Sequence, residues 1–187
     1  MENRKKIIDE ILPTRKYGHY FRLVEPEDAE FIVSLRNDTK LSRYINETSS
    51  KIEDQLKWIE EYKIREKNGK DFYIICLSED TKEKLGLNRI YKIEDSYCEF
   101  GSWLYKANTG KLSSIFGDLF CKSIIFEDFN INKCLLEVRK KNKSVLRYTK
   151  SFNPVIIGEN DLSYYFDLDY KNFKKQRDKL LNFFTND

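Results

Sequence analysis

The stretch CEFGSWLY, residues 98–105, followed by KANTGKLSS, residues 106–114, decides how this chain is read. Cys98 and Phe100 alternate with Glu99 and Gly101, which is the two-residue period of a strand with one apolar face. Glu99 and Gly101 then share the opposite face. The strand ends through Trp103, Leu104, Tyr105 and Lys106. Polar residues follow, and apolar residues at helical spacing then run over Leu112–Phe129. A helix that begins just past a strand end offers unpaired backbone N–H groups and a positive dipole end, which suits an anion.

Working outward, Phe72–Leu77 and Leu85–Ile93 precede this strand across the turn-like segments SEDTKEK and EDS. Three such runs with short connections predict an antiparallel meander. Further upstream, Tyr20–Glu25 alternates as a strand. Pro26 opens a helix in PEDAEFIVSLRND, with acids in its first turn. Ser50–Lys67 predicts a second helix with Leu56, Ile59 and Tyr62 on one face, stopped by Asn68-Gly69. Downstream come a strand at Cys134–Val138, a short helix at Lys143–Phe152, strands at Val155–Ile157 and Leu162–Leu168, and a closing helix at Tyr170–Phe184. The order is β-α-α-β-β-β-α-β-α-β-β-α. It predicts one α/β domain over residues 1–187, with a mixed central sheet of about seven strands flanked by helices. Residues 1–18 read as an N-terminal arm and residues 169–187 as a C-terminal helix.

The bulk numbers exclude several classes. The chain has 187 residues and 40% hydrophobic content, enough for one core. Its 34 basic and 31 acidic residues leave a net charge of +3, against the basic excess of a dedicated nucleic-acid binder. Arg4, Lys5, Lys6, Arg15 and Lys16 read as a solvated arm. The four cysteines, at 76, 98, 121 and 134, form no CxxC pair, and His19 is the single histidine. No metal site is expected, and reduced thiols suggest a cytoplasmic protein. No apolar run approaches the ~20 residues of a membrane span, and MENRKKIIDEILP lacks the apolar region of a signal peptide.

Three stretches, in this order, resemble the GNAT superfamily of acyl-CoA N-acyltransferases. FRLVEPEDAEFIVSLRND, residues 21–38, looks like the opening strand and helix of many members. CEFGSWLY, residues 98–105, resembles the central strand beside which acetyl-CoA lies. EVRKKNKSVLRYTKSFNP, residues 137–154, resembles the later strand and its Asn-led helix. The resemblance covers roughly residues 20–168. Within the superfamily the third stretch is similar to branches that acetylate nucleotide-linked amino sugars and to ribosomal-protein N-terminal acetyltransferases. Arg36-Asn37 followed by Ser42-Arg43-Tyr44 looks like an acceptor loop of the sugar branch.

The resemblance implies acetyl-CoA as cosubstrate and a small-molecule amine as acceptor. It places the cofactor arm along Trp103, Leu104, Tyr105 and Lys106. The pyrophosphate falls on Asn108, Thr109, Gly110, Lys111, Leu112, Ser113 and Ser114, with Asn142 and Tyr148 nearby. The chain departs from the family here, because only Gly110 remains of the usual Arg/Gln-x-x-Gly-x-Gly/Ala loop. Glu99 stands where members often carry a general base, although a Glu in a strand also serves as a cross-strand partner. Tyr148 and Thr149 compete for the position of the acid; a packed aromatic is the plain reading of Tyr148, and Thr has no useful titration near neutrality. The acceptor pocket is expected from Arg36, Asn37, Arg43, Tyr44, Asn88, Arg89 and Trp103, where guanidinium forks suit a phosphate. Two other readings stay open: a protein N-terminus or small polyamine as acceptor, and a GNAT-like binding domain without catalysis.

Overall fold

The computed structural model describes residues 4–45, 47–107 and 109–185, with Lys111 and Thr185 described by backbone alone. The meander forms as the alternation requires: β3 (Asp71–Ser78), β4 (Lys84–Tyr91) and β5 (Tyr97–Tyr105) pair antiparallel in succession. Before them lie β2 (His19–Leu23), α2 (Ala29–Asn37) and α3 (Ile52–Lys67). After them come α4 (Lys111–Ser123), β6 (Lys133–Arg139), α5 (Lys143–Ser151), β7 (Val155–Glu159), β8 (Ser163–Asp169) and α6 (Tyr170–Thr185).

The N-terminus corrects the expectation of a solvated arm. Arg4–Ile11 is a helix, α1, and Thr14–Lys16 is an edge strand, β1, paired with β2. Eight residues make a marginal helix in isolation, so packing has to hold it. Ile8 is fully buried, and Arg4 Nη2 donates to the Glu94 carbonyl at 3.0 Å. The apolar run after residue 111 also divides: α4 stops at Ser123, and Ile124–Asp128 is a single wider π turn.

The eight described strands form one sheet in the order β1-β2-β3-β4-β5-β6-β8-β7. All neighbours are antiparallel except β5 and β6. Helices cover both faces, which is why β3 is buried along nearly its whole length. On one face Ile8, Phe21, Ile74, Leu119, Ile125 and Phe173 pack together; on the other, Ile32, Ile59, Tyr62, Tyr73 and Leu87 do.

Two features open a site. The β5–β6 ladder stops at Phe100–Leu136, yet β5 runs on to Tyr105 and β6 to Arg139, so the strands diverge into a V. On its other edge β5 slips register against β4 between Leu87 and Arg89, and Ser102 there takes a positive φ of 47°. A bulge of this kind turns a strand and re-aims its side chains.

Candidate active site

The V holds a cleft of about 150 Å³, lined by Gly101, Ser102, Trp103 and Leu104 from β5, Glu137–Arg139 from β6, and Asn142, Val145, Tyr148 and Thr149 from the α5 end. It continues past Trp103 and Tyr148 into a shallower groove along Tyr105, Ser114, Ile115 and Ser144. Trp103 Nε1 donates to the Ser114 carbonyl at 2.8 Å, and its ring stands 5.1 Å from that of Tyr148. Trp103 is thus a wall of this cleft. Asn142 caps α5, its Oδ1 accepting from the Val145 N–H at 3.3 Å.

At the start of α4, Gly110 is the N-cap, with φ 79° and no side-chain hydrogen bond to the helix. Its lack of a Cβ permits that conformation. Gly110 itself therefore offers the first N–H groups of α4 no side-chain cap. Thr109 Oγ1 donates to Lys106 O at 3.0 Å, and Ser113 Oγ donates to Thr109 O at 2.6 Å. Ser113 also meets His19 Nε2 at 2.9 Å, while His19 Nδ1 lies 2.6 Å from Tyr17 O. The single histidine thereby supports this loop, a role its sequence context did not suggest. Leu112 is exposed. Lys106 turns away, pairing with Glu83 at 2.9 Å. Asn108 and the Lys111 side chain, both named from the sequence, lie outside the described residues.

The base of the cleft is charged. Asp118 and Lys122, 1% and 2% exposed, pair at 2.7 Å across one turn of α4. The Tyr148 hydroxyl donates to the other Asp118 oxygen at 2.7 Å. Lys122 also lies over the rings of Phe152 and Phe100, at 4.9 and 5.2 Å. Burial first, and the Asp118 carboxylate second, push the Tyr148 pKa well above its ordinary value. Thr149 is buried beside it.

Beyond Gly101 and Ser102 the cleft widens into an open bowl of about 420 Å³. Glu99 lies on its floor and pairs with Lys92 at 2.8 Å. Arg36, Arg89, Lys92 and Arg139 line it against two carboxylates, Glu99 and Glu137. Tyr91 closes one side; burial first, then the Glu99 charge, raise its pKa.

The sequence-derived acceptor set divides. Arg36, Tyr44 and Arg89 line the bowl. Arg36 Nε donates to Thr48 Oγ1 at 2.8 Å. Arg89 forms a two-pronged pair with Asp71, at 2.8 and 2.6 Å, and stands 4.8 Å over both Trp58 and Tyr91. Arg43 is exposed; its Nε donates to Lys40 O and its guanidinium lies over Tyr44. Asn37 Nδ2 donates back into its own helix at Val33 O. Asn88 is fully buried under α4, donating to the Tyr105 hydroxyl at 2.7 Å. A Cβ on Gly117 would strike that hydroxyl, so Asn88 and Tyr105 act as the seat of α4.

Asp118, Lys122, Asp71 and Arg139 were not singled out from the sequence. The signal for the first two was present. Residues 115–126, IFGDLFCKSIIF, are apolar on every face, and a helix apolar all round is buried, so any charge in it must be buried and paired.

Comparisons agree with this geometry. A family model described as an acetyltransferase (GNAT) domain matches residues 20–152, more than half of the chain. The solved structure of apo FdhC, a nucleotide-linked sugar GNAT, is 30% identical with a TM-score of 0.79, covering 88% of this chain and 93% of that one. Two others share the fold at lower identity. Spermidine N-acetyltransferase from Vibrio cholerae, solved with CoA and spermine, has 17% identity and a TM-score of 0.72, covering 85% and 99% of the two chains. A ribosomal-protein alanine acetyltransferase from Vibrio fischeri has 14% identity and a TM-score of 0.72, covering 83% and 95%. A search of curated protein sequences found no match. The family match, the split β5–β6 ladder and the glycine N-cap of α4 lead to one conclusion: the chain belongs to the GNAT acetyltransferases, N-acyltransferases that use acetyl-CoA as cosubstrate.

Proposed function

We propose that the chain acetylates the primary amine of a nucleotide-linked amino sugar. The observation that carries this reading is the bowl around Glu99, lined by Arg36, Lys92 and Arg139 beside two carboxylates, with Arg89 already held by Asp71. Such a field favours an acceptor bearing a diphosphate and disfavours a polycation such as a polyamine. The 30% identity to a nucleotide-linked sugar GNAT supports it.

Acetyl-CoA fits the residues present and supplies an acetyl group already activated as a thioester. The β5 backbone beyond Phe100 has lost its β6 partner, so amide groups there are available to bond the pantetheine arm. Trp103, Leu104, Tyr105, Ser114, Asn142 and Tyr148 would flank that arm. The N–H groups at the start of α4 would take the pyrophosphate.

An amine arrives at neutral pH as an ammonium and attacks only after losing a proton. Glu99, on the bowl floor, is placed to accept that proton, directly or through water. Tyr148 already spends its proton on Asp118. While that bond lasts it cannot hand the proton to a leaving group, and its raised pKa makes it a weak acid. It serves better as a fixed wall that orients Trp103. Thr149, buried below it, packs.

The test is acetyl transfer from acetyl-CoA, read by thiol release, to three amines: a nucleoside-diphosphate-linked amino hexose, spermidine, and a peptide with a free N-terminus. The sugar nucleotide should give the highest kcat/KM. A higher value with spermidine or the peptide overturns the acceptor assignment. No release with any amine favours a binding domain without catalysis.

A further inference from the structure

A separate chamber opens off the bowl. It has a volume of about 160 Å³ and lies between α2, α3 and the centre of the sheet, walled by Arg36, Asp54, Gln55, Trp58, Tyr73 and Ser102. Arg36 and Ser102 also line the bowl, so the two spaces adjoin. Tyr73 is 2% exposed; its hydroxyl faces Arg36 and Ser102 but makes no well-formed hydrogen bond among the described residues. Buried hydroxyls are nearly always paired, because an unpaired one costs stability. A ligand hydroxyl in the chamber would supply the missing partner.

The chemistry of the walls narrows the ligand. Arg89 contributes to them, but Asp71 already holds it in two bonds. Arg36 and Asp54 both line the chamber, and the Asp54 carboxylate accepts from Ser49 at 2.6 Å. With Asp54 beside Arg36 and Asp71 on Arg89, the chamber is close to electroneutral. It suits neither a diphosphate nor a polyamine. Its hydroxyl, amide, carboxylate and guanidinium groups around the edge of an indole suit a neutral ring bearing several hydroxyls.

We propose that this chamber holds the hydroxylated ring of the acceptor, with the Tyr73 hydroxyl bonding a ring hydroxyl, and that it selects an amino sugar over a simple amine. The proposal rests on the amino-sugar reading above and adds the residues that recognise the sugar. The diphosphate then stays outside, among the cations of the bowl.

The chain has two tryptophans, one on each space: Trp58 on the chamber and Trp103 on the cofactor cleft. Protein labelled with 5-fluorotryptophan gives one fluorine resonance for each. Four probes are titrated: coenzyme A, UDP-glucosamine, UDP and free glucosamine. Coenzyme A should move Trp103. UDP-glucosamine and glucosamine should move Trp58, and UDP alone should not. Tyr73→Phe should raise the Kd read at Trp58 roughly tenfold and leave the coenzyme A titration unchanged. It removes one hydroxyl that makes no well-formed hydrogen bond, so the fold should persist, and Gln55→Leu on the α3 wall gives a second reading. A Trp58 response to UDP alone overturns the proposal. So does no response to either sugar at tens of millimolar, or an unchanged Kd in both variants, which would leave the chamber to solvent. Equal affinities for glucosamine and UDP-glucosamine would uphold the chamber while removing the nucleotide from the proposed function.

Discussion

Glu99 and Asp118 are two carboxylates in opposite circumstances. Glu99 is 29% exposed on the bowl floor beside an exposed lysine. A positioned base is worth roughly 10²–10⁴-fold. Glu99→Gln should therefore lower kcat/KM by that order with the melting temperature unchanged. A loss within about threefold would make Glu99 a strand partner for Lys92 and nothing more. Asp118 is enclosed, and both of its oxygens are engaged by Lys122 and Tyr148. Asp118→Asn leaves the Lys122 charge buried with its counter-charge gone, a change that costs about 3–5 kcal/mol. Chemical denaturation should show that loss; one below about 1 kcal/mol would mean that water reaches Lys122. At this scale the sequence was half legible. Alternation placed Glu99 and Gly101 on one face, and the bowl contains both. Arg43, Asn88 and Asn37 read as acceptor residues because polar types in loops and strand ends invite it, while their actual partners, Lys40 O, the Tyr105 hydroxyl and Val33 O, are set by geometry that spacing does not encode. Tyr73 escaped notice for the opposite reason, being one polar tip inside an apolar run.

At the scale of elements, the alternating and helical periods carried nearly the whole order from β2 to α6. The failures lie where packing overrides local preference. α1 is too short to announce itself and is held by Ile8 and Arg4. The π turn after Ser123 has no marker in an apolar run. The seat of α4 gives a direct test. Gly117 passes over Tyr105 and Asn88, and an added methyl would meet the Tyr105 hydroxyl. Gly117→Ala removes a helix-breaking residue, which alone would stabilise by up to about 1 kcal/mol. The clash outweighs that gain, since overpacking costs about 1–3 kcal/mol. The variant should melt lower than wild type and bind coenzyme A more weakly, because the α4 start moves with the helix. A rise in melting temperature would show that Tyr105 can yield.

For the whole molecule, acid should act through Asp28, which is fully buried and holds Arg22 at 2.6 and 2.9 Å and Lys84 at 2.6 Å. Burial by itself would raise its pKa. The hydrogen bonds from Arg22, the Glu25 N–H and Lys84 outweigh burial and hold it below the ordinary carboxylate value. A depressed folded pKa stabilises the native state above the unfolded pKa, near about 4, and that contribution fades as pH falls through the folded value. Asp28→Asn should thus be less stable than wild type at neutral pH, with the gap closing below about pH 4. A gap constant with pH would assign the acid response elsewhere. Coenzyme A should stabilise the native state by about 2.7 kcal/mol at a hundredfold excess over its Kd. A sample that folds correctly and shows no thermal shift at millimolar coenzyme A would leave the cleft without its ligand.

The four rungs between β5 and β6 make the molecule two plates joined along a short weld. One plate carries Glu99, Arg36 and Arg89; the other carries Glu137, Arg139, β8, β7 and the helix of Tyr148, so the bowl spans both. Below Phe100 and Leu136 the weld is continuous, and above them it is open like the mouth of a clothes-peg, with α4 as its spring. A ligand seated in that mouth would bridge the two plates where the backbone ladder no longer does. Under the proposed function, alignment of the acceptor amine would then be a property of the bridged plates rather than of either one.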